Sequence, residues 1–244
     1  MRYFKIIISR KNIYTEQVKK LKNESKLQTE IIYIEDLLNE STTFNFDNSI
    51  VYFLCCNSPF VFSIINKLKQ YNCYIINKQY LSKNYLKLDV QKILYKSNIN
   101  IPKIYDGNIV KNLENINFPI FCKENRHEGM IMQVYNPITV TRLFKKVDIK
   151  DFYFEEAIES INSKELKVYY VKGKLFFKNI KDYNKLLEKL CNQISTILDN
   201  LEVFSVDIIQ MSNDNYFVID VNPAAGFYLS DSGRKYFLNN LEKK

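Results

Sequence analysis

At 244 residues the chain can bury a sizeable core, as one large domain or as two or three small subdomains. Five cysteines without metal-type spacing and a single histidine, His127, exclude a multi-histidine metal site and predict free thiols in a reducing cytosol. No apolar run reaches transmembrane length, so we expect a cytoplasmic protein with no membrane partner. The net charge of +8 comes from lysines spread along the chain, which favours compositional bias over a nucleic-acid surface.

Residues 1–80 predict a small α/β domain, because short apolar strands alternate with helical patterns, and such alternation is typical of a parallel sheet. Neither G-x-G-x-x-G nor G-x-x-x-x-G-K-[ST] occurs, which excludes a Rossmann or P-loop nucleotide site. The predicted elements are strands at Tyr3–Ser9, Glu30–Ile34, Ser49–Cys56 and Asn72–Ile76 and helices at Thr15–Lys26 and Phe60–Gln70.

Residues 81–101 predict one helix that ends before Pro102. Its apolar stripe includes Val90 and Leu94, and its lysines lie on or near the polar side. By this pattern Lys87 is one of several solvated lysines.

A strand over 117–123, a loop over 124–129 and a strand over 130–134 come next. Lys123 ends an apolar strand before the loop, where a mobile cation with three donors suits a phosphate. The loop contains one glycine, so Arg126 and His127 would have to supply side-chain donors. For His127 an ordinary exposed loop position is the alternative.

Phe152–Ile158 predicts a strand that ends in Glu155 and Glu156, which are either site residues or solvated acids. A hairpin with Lys172–Lys174 in its turn follows, and alternation puts Glu165, Lys167 and Tyr169 on one face. Residues 183–198 then have helical spacing.

The strongest pattern is a predicted hairpin over 203–221 with its turn at 212–215. Pairing outward from this turn sets Asp207 opposite Asp220, with Asn222 on the same face. Opposed carboxylates repel at Cβ separations of about 4.5–5.5 Å, whereas two carboxylates and an amide oxygen suit Mg²⁺. The alternative is that both aspartates face solvent on an edge hairpin. The predicted core face holds Val206, Ile208, Phe217, Ile219 and Val221.

Asp207, then Asp220-Val221-Asn222-Pro223 and Gly226-Phe227, resemble the metal-binding end of the ATP-grasp superfamily, in its RimK and glutathione synthetase-like branch of carboxylate–amine ligases. The run from Phe118 to Lys123 resembles the family's "fPvvvKp", and the resemblance extends in order over residues 81–227. Asp220 stands where the family has Glu, and the loop after Lys123 has fewer glycines than usual.

The resemblance implies an α/β fold: a small parallel pre-ATP-grasp domain at 1–80, then ATP-grasp subdomains with antiparallel sheets at 81–155 and 156–244. It also implies roles for individual residues. Lys87 and Lys123 would bind the nucleotide phosphates, and Lys167 and Lys178 would assist phosphoryl transfer. The backbone of Glu156, Ala157 and Ile158 would read the adenine edge, and Glu155 or Glu156 would hold the ribose. Asp207, Asp220 and Asn222 would bind Mg²⁺ or Mn²⁺.

The implied activity is an ATP-dependent ligase that joins a carboxylate to an amine through an acyl phosphate and releases ADP and phosphate. Its partners would be small-molecule or peptide carboxylates and amines, and a homodimer is compatible with the sequence. Two alternatives are a small-molecule kinase on the same scaffold and a weakened nucleotide- or anion-binding module. The segment from Lys178 to Asp182 is shorter than the family's substrate loop, so no named substrate carries over. The tail after Phe227 predicts a short polar segment, with a loop at 231–234 near the site.

Overall fold

The computed structural model describes residues 2–10, 15–39, 43–55, 60–105, 113–126, 129–145, 148–158, 163–177, 184–212, 215–225 and 230–243. The strands are β1 Tyr3–Ile8, β2 Gln28–Tyr33, β3 Ser49–Phe53, β4 Tyr74–Ile75, β5 Ile104–Tyr105, β6 Ile120–Glu124, β7 Ile131–Val134, β8 Phe152–Glu156, β9 Lys164–Val171, β10 Lys174–Phe177, β11 Val203–Ser212 and β12 Asn215–Asn222. The helices are α1 Thr15–Glu24, α2 Ile34–Leu37, α3 Phe60–Leu68, α4 Lys78–Leu81, α5 Lys87–Lys96, α6 Pro137–Phe144, α7 Lys185–Ile197 and α8 Asp231–Leu241.

The chain divides into two compact units. The first unit comprises Met1–Tyr85, Lys167–Val206 and Val221–Lys244, and the second comprises Leu86–Leu166 and Asp207–Asp220. The boundaries predicted from sequence at residues 80 and 155 remain predictions.

The first unit contains the predicted parallel sheet, in the order β2-β1-β3-β4. Strand β3 is buried along its whole length, as expected of an apolar strand in a parallel sheet that is covered on both faces. The core of this unit includes Phe4, Ile6, Tyr52 and Phe237.

The second unit contains an antiparallel sheet in the order β5-β8-β6-β7. Its core is formed by Ile120, Cys122, Val134, Val140, Phe152 and Phe154. Ile120 and Cys122 are two residues apart on β6, so their side chains point to the same face, and both pack in this core.

The third sheet has the order β10-β9-β11-β12. The predicted hairpin of β9 and β10 is confirmed, with Lys174 opposite Val171. Its turn requires left-handed backbone at Lys172, with φ of 46°, and at Gly173, with φ of 85°, which is the conformation of a tight two-residue hairpin turn. An α/β fold with an N-terminal parallel sheet and two antiparallel sheets is therefore confirmed.

The single helix predicted over 81–101 is wrong, because the chain forms α4 and α5 with a turn between them. Helix α5 begins at Lys87, since the Leu86 backbone N–H donates to the Asp89 carboxylate at 3.0 Å. It ends at Lys96, and Asn98 shortly after it has a left-handed φ of 57°. The N–H of Ile99 then donates to the Leu94 carbonyl at 3.1 Å, which closes a Schellman motif.

The polar tail is also different from the prediction, because residues 231–241 form helix α8. The Ser230 hydroxyl caps the helix by accepting from the Gly233 N–H, and Phe237 and Leu241 are buried in the core of the first unit. Arg234 is 4% exposed and pairs with Glu24. The predicted loop at 231–234 is therefore the first turn of a packed helix.

The predicted core face of the hairpin is confirmed at Val206, Ile208 and Val221, which are all buried. It is wrong for Phe217 and Ile219, which are partly exposed, whereas Tyr216 and Val218 are buried. Ile219 lines a cavity of the second unit instead of packing in a core.

The cysteines that the structure describes are thiols outside any disulfide, as predicted: Cys55, Cys73, Cys122 and Cys191. Cys56 lies outside the described residues. Among the described helices, none combines the length and the apolar character needed to cross a membrane.

Candidate functional site

A cavity of about 320 Å³ lies within the second unit. This volume is in the range of pockets that hold small ligands. Much of its wall is apolar, and its polar residues are lysine, aspartate and glutamate. The lining residues are Pro102, Phe121, Lys123, Ile131, Glu155, Glu156, Ile158, Glu165, Asp207, Ile209, Ile219 and Asp220. Four residues that the sequence predicted for nucleotide or metal binding, Lys123, Glu155, Asp207 and Asp220, thus face one space.

Lys123 and Glu155 form a buried ion pair in the cavity wall. The Lys123 Nζ donates to Glu155 Oε2 and, at 3.1 Å, to the Ile219 carbonyl. In the antiparallel pairing of β6 and β8, Lys123 lies opposite Tyr153 and Phe121 lies opposite Glu155. Lys123 and Glu155 are therefore diagonal neighbours, a separation that long side chains can bridge. The side chains are 8% and 1% exposed, so neither charge is left to water.

Burial raises the pKa of Glu155, and the neighbouring Lys123 ammonium opposes this shift. The Asp220 carboxylate adds to the rise, since like charges disfavour ionisation. Burial, and then the Glu155 and Asp220 carboxylates, raise the pKa of Tyr153. Within the described part of the chain, Glu155 Oε1 is buried and accepts no hydrogen bond. That oxygen can therefore accept a donor from a bound ligand.

Lys87 forms a second ion pair, with its Nζ 3.2 Å from Asp220 Oδ2. Lys87 is the first residue of α5 and is only 5% exposed, although the sequence pattern put it among the solvated lysines. Asp220 is 26% exposed, so one side of its carboxylate remains open. The structure thus brings Lys87 to a residue of the cavity.

Asp207 and Asp220 both line the cavity, and their direct opposition on the hairpin stays a prediction. Two carboxylates that share one space offer the oxygen ligands that Mg²⁺ prefers, so this pair fits the ion by its chemistry. Asn222 lies in the first unit, where its Oδ1 accepts from the Ala224 N–H at 2.9 Å. Among the residues described, no group of three or more His, Cys, Asp and Glu side chains is arranged to hold a metal. The three-residue metal set stays a prediction.

The predicted adenine-reading segment is placed at the cavity, since Glu156 and Ile158 line it. Two of its backbone donors are already used within the unit. The Glu156 N–H donates to the Lys103 carbonyl at 2.9 Å, and the Ala157 N–H donates to the Pro119 carbonyl at 3.2 Å. A base at this edge would therefore depend on other groups, among them the carbonyl oxygens and the N–H of Ile158.

Glu124, the last residue of β6, bonds to two residues that follow the strand. Glu124 Oε1 pairs with Arg126 Nε at 2.7 Å, and Glu124 Oε2 accepts from the Met130 N–H at 3.0 Å. Arg126, which the sequence offered as a replacement donor, is therefore bound to Glu124. A Cβ at Gly129 would lie 2.6 Å from the Glu124 Cβ, so this glycine is required for the close approach.

Three further residues named from the sequence are not among those that line this cavity of the second unit or are not described. Lys167 is an exposed residue of β9 and belongs to the first unit, whereas Lys178 and His127 lie outside the described residues. Glu165, to which the sequence assigned no role, lines the cavity.

Sequence reasoning missed Gln91 completely. It is 2% exposed and donates from Nε2 to the Ile219 carbonyl at 3.1 Å. Its position four residues after Lys87 is the only signal that could have found it, because residues at that spacing share a helix face.

No protein-family profile matches the sequence, and no curated protein matches it. Several solved structures are similar to the chain over most of its length. A RimK domain ATP-grasp protein from Sphaerobacter thermophilus has a TM-score of 0.73 at 10% identity, covering 97% of this chain and 98% of that one. D-cycloserine synthetase DcsG has a TM-score of 0.73 at 11% identity, with 99% of each chain covered.

A third structure is the ATP-grasp ligase PsnB in complex with a phosphomimetic variant of its minimal precursor, Mg and ADP. It has a TM-score of 0.71 at 10% identity, covering 98% of this chain and 97% of that one. These structures define the class: the chain has the ATP-grasp fold, as the sequence predicted. At such identities the likeness establishes the fold alone.

Proposed function

We propose that this protein is an ATP- and Mg²⁺-dependent ligase that joins a carboxylate to an amine. The observation that carries the proposal is the cavity of the second unit, where Lys123, Glu155, Asp207 and Asp220 meet beside an apolar wall. The ATP-grasp fold supports it, since the similar structures include ligases, one of them bound to Mg and ADP.

The nucleotide would lie with its base against the apolar wall and its phosphates toward the cations. Phe121, Ile131 and Ile209 offer apolar surface to a purine, and Glu156 and Ile158 line the cavity at its polar edge. Lys123 and Lys87 would neutralise phosphate oxygens, for which a compact ammonium with three donors is suited.

Asp207 and Asp220, with Asn222, would hold Mg²⁺. When bound, this ion would neutralise the charge that develops on the phosphate oxygens during phosphoryl transfer. Asp220 and Asp207 then have the task of orienting the ion from the cavity wall. The shorter Asp220 in place of Glu is compatible with one ion as well as two.

The chemistry needs no protein nucleophile. A carboxylate oxygen of the substrate attacks the γ-phosphorus of ATP, the bond from that phosphorus to the bridging oxygen breaks, and ADP leaves. An amine then attacks the acyl carbon of the acyl phosphate, inorganic phosphate leaves, and the amine loses a proton. Positioning and charge stabilisation by residues such as Lys167 and Lys178 are the protein's contribution.

The substrate class is an amino acid or peptide carboxylate with an amine acceptor. This choice is supported by the similar structures, because PsnB is complexed with a precursor peptide and DcsG is a D-cycloserine synthetase.

Thermal unfolding with ATP, with and without Mg²⁺, tests nucleotide and metal binding together. Ligand at a hundred times its Kd should add about 2.7 kcal/mol to the free energy of unfolding. We expect a Mg²⁺-dependent rise in the unfolding temperature that Asp220→Asn and Lys123→Met abolish. The exposed residues Glu114 and Lys92 supply matched controls, Glu114→Gln and Lys92→Met, which should respond like the wild type.

Product analysis separates the ligase from its rivals. A ligase releases ADP only when both a carboxylate and an amine are present, and it forms an amide, whereas a kinase leaves a stable phosphorylated product. Binding without any ADP release across a panel of amino acids and peptides would favour a nucleotide-binding module. Absence of Mg²⁺-dependent stabilisation in the wild type would overturn the proposal.

A further inference from the structure

Helix α5 presents two buried polar side chains to consecutive residues of β12. Lys87 and Gln91 are four residues apart, so they lie on one face of the helix. Lys87 pairs with Asp220 at 3.2 Å, and Gln91 Nε2 donates to the carbonyl of Ile219 at 3.1 Å. Their exposed fractions are 5% and 2%. The helix therefore holds both the backbone and the side chain of β12 where the strand meets the cavity.

The Ile219 carbonyl accepts two hydrogen bonds. One comes from Gln91 Nε2 and one from Lys123 Nζ, each at 3.1 Å. A carbonyl oxygen has two lone pairs, so both donors can be satisfied at once. Gln91 thus fixes the acceptor that helps to place the Lys123 ammonium, one residue before Asp220.

A buried glutamine with a purely structural role would lower the free energy of unfolding relative to an apolar residue of similar size. Its Oε1 is buried and has no hydrogen-bond partner among the described residues. Buried polar atoms in native proteins are nearly always paired, because an unmade hydrogen bond leaves the cost of desolvation uncompensated. A methionine at this position would fill similar space without that cost. We therefore attribute the presence of an amide at this position to the hydrogen bond that its Nε2 donates to the Ile219 carbonyl.

We propose that Gln91 is a positioning residue for nucleotide binding, and this inference rests on the proposed function. It holds the Ile219 carbonyl so that Lys123 Nζ and the Asp220 carboxylate stay directed at the phosphate end of the ligand. Gln91 is not among the residues that line the cavity, so in this proposal it acts through Ile219 and not by contact with the nucleotide.

The test uses the full chain, with Gln91→Met as the variant and Gln70→Met, at an exposed glutamine, as the matched control. Unfolding temperature without ligand and affinities for ATP with Mg²⁺ and for adenosine are measured on the same samples. We expect Gln91→Met to unfold at the wild-type temperature or above it. Its affinity for ATP should fall by at least about tenfold, the size expected for a charge-assisted contact.

Adenosine is the discriminating probe, since it lacks the phosphates that Lys123 would contact. The proposal expects its affinity to be unchanged in Gln91→Met. Loss of stability together with equal losses for ATP and adenosine would show a structural role and overturn the proposal. Unchanged ATP affinity in Gln91→Met would overturn it too, while leaving the proposed function intact.

A second variant covers the case in which Gln91→Met does not fold. Gln91→Leu is apolar and lacks the donor to Ile219, so ATP affinity should again fall with adenosine affinity preserved. Wild-type affinity for ATP in Gln91→Leu would contradict the inference. If the wild type itself binds no ATP, the proposed function fails, and this inference fails with it, which is a result distinct from any variant-specific outcome.

Discussion

Lys87 Nζ lies 3.2 Å from Asp220 Oδ2, so a residue predicted to bind phosphate is paired with one predicted to bind metal. Each of these charges compensates the other, which lowers the cost of burying the lysine. An ammonium that sits on the carboxylate competes with a divalent cation for the same oxygens. Binding of the metal to Asp220 would therefore release Lys87 toward the phosphates.

This competition predicts opposite effects of one substitution. Lys87→Met should tighten binding of Mn²⁺ alone by about fivefold or more, because Asp220 loses its competitor, and should weaken binding of ATP. Mn²⁺ affinity can be followed by the loss of the free-ion electron paramagnetic resonance signal, and ATP affinity by calorimetry. Lys92→Met, which changes an exposed lysine of the same helix, is the control. A weakening of both affinities would contradict the competition.

Several residues that line the cavity stand out in the sequence by their local pattern. Lys123 follows an apolar run, and pairing outward from the predicted turn at 212–215 puts Asp207 opposite Asp220, so both expectations can be read from local pattern. The burial of Lys87 could not be read in this way. Its partner Asp220 is 133 residues away in the chain, and helical spacing alone puts the lysine on the polar side.

Two further features depend on tertiary packing that a local pattern does not contain. The diagonal pairing of Lys123 with Glu155 follows from the register of β6 and β8, which the segment between the strands does not fix. Helix α8 was missed because its first turn is polar, although Arg234 in that turn is buried against Glu24. In both cases a charged residue is buried because a distant partner compensates it.

The buried pair of Lys123 and Glu155 predicts a large, rescuable loss of stability. Lys123→Met removes the main compensation for a carboxylate that is 1% exposed, which should lower the free energy of unfolding by about 3–5 kcal/mol. Adding Glu155→Gln removes the charge and should restore most of that loss. Urea unfolding of the two single variants and the double variant measures the coupling. Additive effects of the two substitutions would show that the pair is not coupled.

Lys167 should affect turnover without affecting the fold. It is exposed on β9, so Lys167→Met should change the free energy of unfolding by no more than about 0.5 kcal/mol. If Lys167 neutralises charge during phosphoryl transfer, kcat should fall by about a hundredfold while the affinity for ATP is retained. ADP release under saturating substrates gives kcat. The neighbouring exposed Lys164→Met is the control, and an equal loss in both variants would remove the specific role of Lys167.

The ion pair of Glu24 and Arg234 predicts how stability depends on pH. Arg234 donates from Nε and from a terminal nitrogen to the two carboxylate oxygens of Glu24, each at 2.7 Å. These hydrogen bonds hold the pKa of Glu24 below its ordinary value of 4.5. A carboxyl group whose pKa is lower in the folded state stabilises the protein above its unfolded pKa. That stabilisation is lost as the pH falls through the pKa of the folded state.

Glu24→Gln should therefore lower the free energy of unfolding at neutral pH and flatten its decline below pH 4.5. Because the Glu24 side chain is 37% exposed, solvent screening limits the loss to about 1 kcal/mol. Urea unfolding between neutral pH and about pH 3 measures both effects. Glu114→Gln, at an exposed acid, serves as the control and should follow the wild-type pH profile. Parallel profiles for Glu24→Gln and the wild type would contradict the linkage, since the difference between them must shrink as Glu24 is protonated in both states.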